Sequence, residues 1–121
     1  MSAVEEKEVL VEKSGPVATI IFNRPKRGNA FTPTMVEEIQ RQFDVLEKDK
    51  AIRIIVLTGA GSMFCTGMDL GADNQSDMRQ RTTTGGDKGG GGFITLCNRI
   101  KACEKPVVCK INGPALGMFV A

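Results

Sequence analysis

The residues of this sequence that could do chemistry are two glycine-bearing loops, four thiols and a set of carboxylates, and there is no histidine to assist any of them. Without an imidazole there is no Ser-His or Cys-His pair and no histidine-ligated metal. Proton transfer and charge stabilisation fall to carboxylates, lysines, hydroxyls and the backbone. The cysteines stand at 65, 97, 103 and 109. None has the close partner of a zinc knuckle, so no metal is expected, and the four read as reduced, mostly buried thiols of an intracellular protein. The glycine cluster Gly59-Ala60-Gly61-Ser62-Met63-Phe64-Cys65-Thr66-Gly67 invites a nucleotide reading and fails it. A dinucleotide fingerprint needs glycine where Phe64 stands, and a P-loop needs lysine where Met68 follows Gly67.

The elements that must hold these loops can be read from pattern. Val9 and Val11 alternate with polar neighbours, Ser14-Gly15-Pro16 turns, and Val17 to Phe22 is rich in β-branched residues, which predicts an antiparallel hairpin over residues 8–23. Asn23 to Asn29 is a basic, turn-rich loop. Thr32 caps a helix with Pro33 at its first position, and Glu37 and Glu38 suit the positive end of its dipole. Val36, Ile39, Phe43 and Leu46 give that helix one apolar stripe, to about Lys48. The run Ile54-Ile55-Val56-Leu57 inside Arg53 to Thr58 predicts a strand buried on both faces. A second helix is expected over Phe93 to Cys103, with Phe93, Leu96, Cys97 and Ile100 on one face. A last strand is expected from Val107 to Ile111, with Asn112-Gly113-Pro114 turning out of it. Residues 71–92 hold seven of the 14 glycines, and this composition predicts a mobile segment. Strand and helix alternate after the hairpin, so the fold class is α/β.

Composition narrows the field further. A length of 121 residues suits one domain, with 41% apolar and 25% charged residues as in ordinary globular chains. The 16 basic and 14 acidic side chains nearly cancel, leaving no electrostatic footprint for nucleic acid. No apolar run has membrane-spanning length, and the acidic stretch Met1 to Glu8 is neither a secretory signal nor an Arg-rich transit peptide.

Three segments taken together resemble the enoyl-CoA hydratase/isomerase, or crotonase, family. They are Asn23-Arg24-Pro25-Lys26-Arg27-Gly28-Asn29-Ala30, the stretch from Leu57 through Thr66-Gly67-Met68-Asp69-Leu70, and Lys105-Pro106-Val107-Val108-Cys109-Lys110-Ile111-Asn112-Gly113-Pro114-Ala115-Leu116-Gly117. The resemblance runs over nearly the whole chain. It implies a ClpP/crotonase-like fold of repeated ββα units, of which residues 1–121 are an N-terminal portion of a single acyl-CoA-binding domain. It also implies a chemistry that needs no histidine. Two backbone N–H groups, those of Met68 and Met118, polarise a thioester carbonyl and stabilise the enolate that forms. Lys26 and Arg27 contact the phosphates or ribose of coenzyme A. Asn29, Ala30, Thr66, Gly67, Asp69, Leu70 and Gly117 line the bound substrate, with Asp69 also suited to capping a helix. Coenzyme A enters as part of the substrate, with no covalently held cofactor and no metal. Partners implied are an acyl-CoA and further copies of the chain in a trimer or pair of trimers, with no nucleic acid and no membrane.

The sequence departs from the family pattern at one telling place. Hydratases add water with two glutamates, and the first falls four residues after the glycine matched by Gly117, where this chain has Ala121. The triplet beginning at Gly117 reads Gly117-Met118-Phe119 rather than small residues. Loss of that carboxylate leans the expectation towards the Δ3,Δ2-enoyl-CoA isomerase branch in fatty-acid oxidation. A catalytically silent acyl-CoA-binding or assembly protein on the same fold is the alternative. The second glutamate and the isomerase base match no position up to Ala121, so the polypeptide by itself is expected to lack turnover. The compartment, whether mitochondrial, peroxisomal or cytoplasmic, is not distinguished.

Overall fold

The computed structural model describes residues 7–67 and 91–116. Within them a four-stranded sheet runs in the order β1 (Val9–Ser14), β2 (Val17–Phe22), β3 (Ile54–Gly59) and β4 (Val107–Lys110). The hairpin forms because Gly15 takes φ +58° at the first turn position, and Pro16 at the second is held at negative φ by its ring. Ser14 therefore pairs with Val17, and the register runs antiparallel to Val9 opposite Phe22. The pairs β2–β3 and β3–β4 are parallel. Their crossover connections are the helices α1 (Pro33–Lys48) and α2 (Gly91–Lys101).

One sheet face carries the core. Ala18, Ile20 and Phe22 on β2 lie beside Ile55, Leu57 and Gly59 on β3, and the five side chains of this row are wholly buried. Met35, Val36, Ile39, Phe43 and Leu46 of α1 close over them. Phe22 stands edge-on to Phe31 at 4.9 Å and to Phe64 at 5.3 Å, which ties the loop residues 31 and 64 into the same core. α2 packs on α1 through buried Leu96 and the partly buried Cys97 and Ile100. Arg99 bridges the helices, binding Asp44 and Glu47. Glu47 also accepts the Glu104 N–H at 2.6 Å, and this bond, with the Arg99 guanidinium, holds its carboxyl below the usual range. Lys105 Nζ donates to the Leu46 and Asp49 carbonyls at 2.7 and 2.6 Å, satisfying the C-terminal end of α1.

Several sequence expectations are corrected here. β3 is buried on one face only: Ile55 and Leu57 are buried, whereas Ile54 and Val56 are half-buried because no described element covers the second face. Val108 on that same face is exposed. Glu37 and Glu38 fall beyond the first turn of α1. Glu38 instead binds Arg41 and Gln42 on its own helix. α2 begins at Gly91, so the last two residues of the glycine-rich stretch are helical and the rest lies outside the described residues. Only Cys65 is a buried thiol; Cys97 and Cys103 are half-buried and Cys109 is exposed on the edge strand β4. No described helix is long and apolar enough to cross a membrane.

Candidate functional site

Because β2, β3 and β4 are parallel, the loops that follow them all emerge at one end of the sheet. Ligands of open α/β sheets bind at that carboxyl end. Each of the three loops lies within one of the segments that carry the family resemblance.

The first loop follows β2. Pro25–Arg27 make a 3-10 turn that presents Lys26 and Arg27 to solvent. The chain then passes through two left-handed residues, Gly28 at φ +62° and Asn29 at φ +57°. Asparagine tolerates that conformation, and here its buried carboxamide is fully used. Oδ1 accepts the Arg24 N–H at 2.8 Å, while Nδ2 donates to the Ala60 carbonyl at 2.9 Å and the Met63 carbonyl at 2.7 Å. Arg24 in turn donates to the Ala30 carbonyl at 2.6 Å and pairs with Glu8. Glu8 also accepts the hydroxyl of Thr32, the N-cap of α1. The loop is thus anchored at both ends, and Ala30 is buried beside Asn29.

The second loop follows β3. Phe64 and Cys65 are buried, and Thr66 lies against the first loop: a Cβ added at Gly28 would sit 2.9 Å from Thr66 Cγ2. Gly67 donates its N–H to the Cys65 sulfur at 3.3 Å, and its carbonyl accepts the Phe31 N–H at 2.7 Å. Burial pushes the Cys65 thiol above its ordinary value, and the Gly67 N–H only partly offsets this. Cys65 therefore stays a neutral thiol, poorly suited to nucleophilic attack.

The third loop follows β4 and is stitched to the second. The Asn112 carboxamide accepts the Gly59 N–H at 3.1 Å and donates to the Gly61 and Met63 carbonyls at 2.9 and 3.2 Å. The Pro114 carbonyl accepts the Phe64 N–H at 3.0 Å, and Leu116 donates to the Cys65 carbonyl at 2.7 Å. Cys65 and Ala115 form a parallel bridge. The chain therefore leaves Gly67 and Leu116 from adjoining points.

Of the residues singled out in the sequence, the structure brings Asn29, Ala30, Thr66 and Gly67 together, with Lys26 and Arg27 on the outer side of the same loop. Met68, Asp69, Leu70, Gly117 and Met118 lie outside the described residues. Sequence reading missed Asn112, which looked like a turn residue and proves to be the side chain of the third loop that reaches the second. It also missed the anchoring role of Arg24. Two open grooves, one between β1 and the first half of α1 and one at the opposite end of the sheet, touch none of the three loops.

A mixed sheet that gathers three tied loops at the carboxyl ends of its parallel strands defines an α/β protein with that loop cluster as its candidate site. The chain belongs to the enoyl-CoA hydratase/isomerase family, whose model matches residues 12–118. It is 36% identical over 108 residues to the enoyl-CoA hydratase AFT6-1 of Alternaria alternata, covering 89% of this chain and 33% of that protein. It is also 36% identical over 107 residues to the 1,2-epoxyphenylacetyl-CoA isomerase of Escherichia coli, covering 88% of this chain and 40% of that one. Among solved structures, an enoyl-CoA hydratase from Bacillus anthracis superposes with a TM-score of 0.77 at 26% identity, over 92% of this chain and 42% of that chain. The fold is therefore an N-terminal portion of the crotonase fold. The chain spans less than half the length of these relatives.

Proposed function

We propose that the protein binds an acyl-CoA thioester across the second and third loops, with the backbone N–H groups of Met68 and Met118 donating to the thioester oxygen. The observation that carries this reading is the pairing of Cys65 with Ala115, which joins the two loops just before those residues. Donors fixed in advance stabilise the charge that develops on an enolate oxygen without reorganising. Lys26 and Arg27, exposed on the first loop, are within the basic segment suited to coenzyme A phosphates. Ala30, Thr66, Gly67, Asp69, Leu70 and Gly117 line the substrate, and Asn29 serves the site by holding its loops together. Coenzyme A is substrate here, and no covalent cofactor is needed.

Within the family's reactions, proton transfer between carbons fits this chain better than hydration. Ala121 offers no carboxylate where hydratases carry the first of their two glutamates. The same residue motivates a second reading, an acyl-CoA-binding protein without turnover. Replacing Met68 with proline deletes its N–H and tests the site directly. Loss of acyl-CoA binding in Met68→Pro supports the reading, and unchanged binding refutes it. Conversion of a 3-enoyl-CoA to its 2-enoyl isomer, assayed on the full-length protein because residues 1–121 offer no matching base, separates the two readings, since the silent one forbids it.

A further inference from the structure

We infer that Asn112 is a positioning residue, fixing where the third loop sits against the second so that both can address one carbonyl oxygen; this rests on the thioester reading above. Its carboxamide makes three bonds to the end of β3 and the loop after it, one as acceptor from the Gly59 N–H and two as donor to the Gly61 and Met63 carbonyls. The polarity of each atom matters. An aspartate of the same shape keeps the acceptor and sets a carboxylate oxygen against two carbonyl oxygens, which repels. The next residue leaves no slack: a Cβ at Gly113 would lie 1.9 Å from the Ser62 carbonyl oxygen. From there the register passes to the Pro114 carbonyl, shared by Phe64 and Cys65 N–H, and to Leu116 N–H on the Cys65 carbonyl. Asn112 is the side-chain contact that starts this run. Lys26 and Arg27 stand on the first loop, which Asn112 does not touch in any bond described. Disturbing Asn112 should therefore spoil recognition of the carbonyl while sparing recognition of coenzyme A.

The test compares butyryl-CoA with S-butyl-CoA, the thioether of the same chain lacking the carbonyl oxygen. Calorimetric titration of the wild-type protein, Asn112→Asp and Asn112→Ala is run at about pH 5 and about pH 8, either side of the range a carboxyl facing carbonyls would titrate in. The wild-type protein should prefer the thioester at both. Asn112→Asp should lose about tenfold of that preference at the higher pH, the weight of one hydrogen bond. It should regain most of it at the lower pH, where a protonated carboxyl again donates. Asn112→Ala should lose the preference at both, with S-butyl-CoA affinity unchanged. Should the aspartate variant unfold, checked by circular dichroism, the alanine variant carries the test. Folded variants that keep the wild-type preference at both pH values overturn the inference and leave the functional reading standing. A wild-type protein with no preference overturns that reading and the inference with it.

Discussion

Asn29 and Asn112, on different loops, donate to the same acceptor, the carbonyl oxygen of Met63, at 2.7 and 3.2 Å. One oxygen with two lone pairs thus joins the loops that follow β2 and β4 to the loop that follows β3. Its neighbours Ala60 and Gly61 are held from the two sides in the same way, Ala60 by Asn29 and Gly61 by Asn112. Two carboxamides thus tie the three loops together through backbone carbonyls.

The first consequence concerns Asn29. Truncation removes the Asn29 donor from the half-buried Ala60 carbonyl, at about 1–3 kcal/mol for an unsatisfied group, and leaves the Met63 carbonyl with Asn112 as its side-chain donor. Asn29→Ala also forces a Cβ-bearing residue without a local hydrogen bond to hold φ +57°. Urea denaturation should show Asn29→Ala less stable than wild type by about 2–4 kcal/mol, with Asn29→Gly recovering about 1 kcal/mol of it. Equal stability of the alanine and glycine variants would mean the left-handed backbone carries no strain.

Gly15 and Gly113 offer a contrast between strain and collision. A Cβ at Gly15 meets nothing within 4 Å, so Gly15→Ala costs only the left-handed backbone, about 1 kcal/mol. At Gly113 the added carbon collides with backbone, and the third loop must move off the second. Thermal unfolding should rank Gly113→Ala below Gly15→Ala, and only Gly113→Ala should abolish acyl-CoA binding. The reverse ranking would contradict the close approach of Gly113 to Ser62.

The thiols should separate by accessibility. Burial raises the Cys109 thiol as well as that of Cys65, so access decides between them: iodoacetamide should modify exposed Cys109 ahead of Cys65 and spare Cys65 until the protein unfolds, as peptide mapping would read. The raised Cys65 value carries a stability signature as well. A thiol that resists ionising when folded contributes stability that is complete below its unfolded pKa and lost as pH rises through the folded one. Urea midpoints should therefore fall on the alkaline side, and less so in Cys65→Ala after allowing for its own loss of packing. Early labelling of Cys65 in the native protein would contradict its burial.

Glu47 gives the opposite sign. The Glu104 N–H and then Arg99 lower its carboxyl, so its contribution is present above the unfolded carboxylate value and is lost as pH falls through the folded one. Urea midpoints measured from neutral pH downward should fall less steeply in Glu47→Gln than in wild type. An unchanged acid limb would remove Glu47 from the α1–α2 junction.

Much of this was legible in the sequence, for local reasons. The hairpin follows from β-branched residues around Gly15-Pro16, and α1 from Thr32, Pro33 and a stripe at helical spacing. Parallel strands with helical crossovers follow from the alternation of elements. Failures arose where tertiary contacts outweigh local preference. Gly91 and Gly92 are poor helix formers, yet they open α2, where Leu96 packs against α1. The apolar run of β3 reads as buried on both faces because a strand's sequence does not say whether anything covers the second. Asn112 looks like turn chemistry because its partners lie about fifty positions earlier, a distance no local pattern spans.

The most direct measurement is the carbonyl stretch of butyryl-CoA, carbon-13 labelled at the thioester, free and bound to the protein by infrared difference spectroscopy. Two backbone donors on that oxygen should move the band of the bound form to lower frequency, and Met68→Pro should return it towards the free position. A bound band at the free frequency would contradict the account.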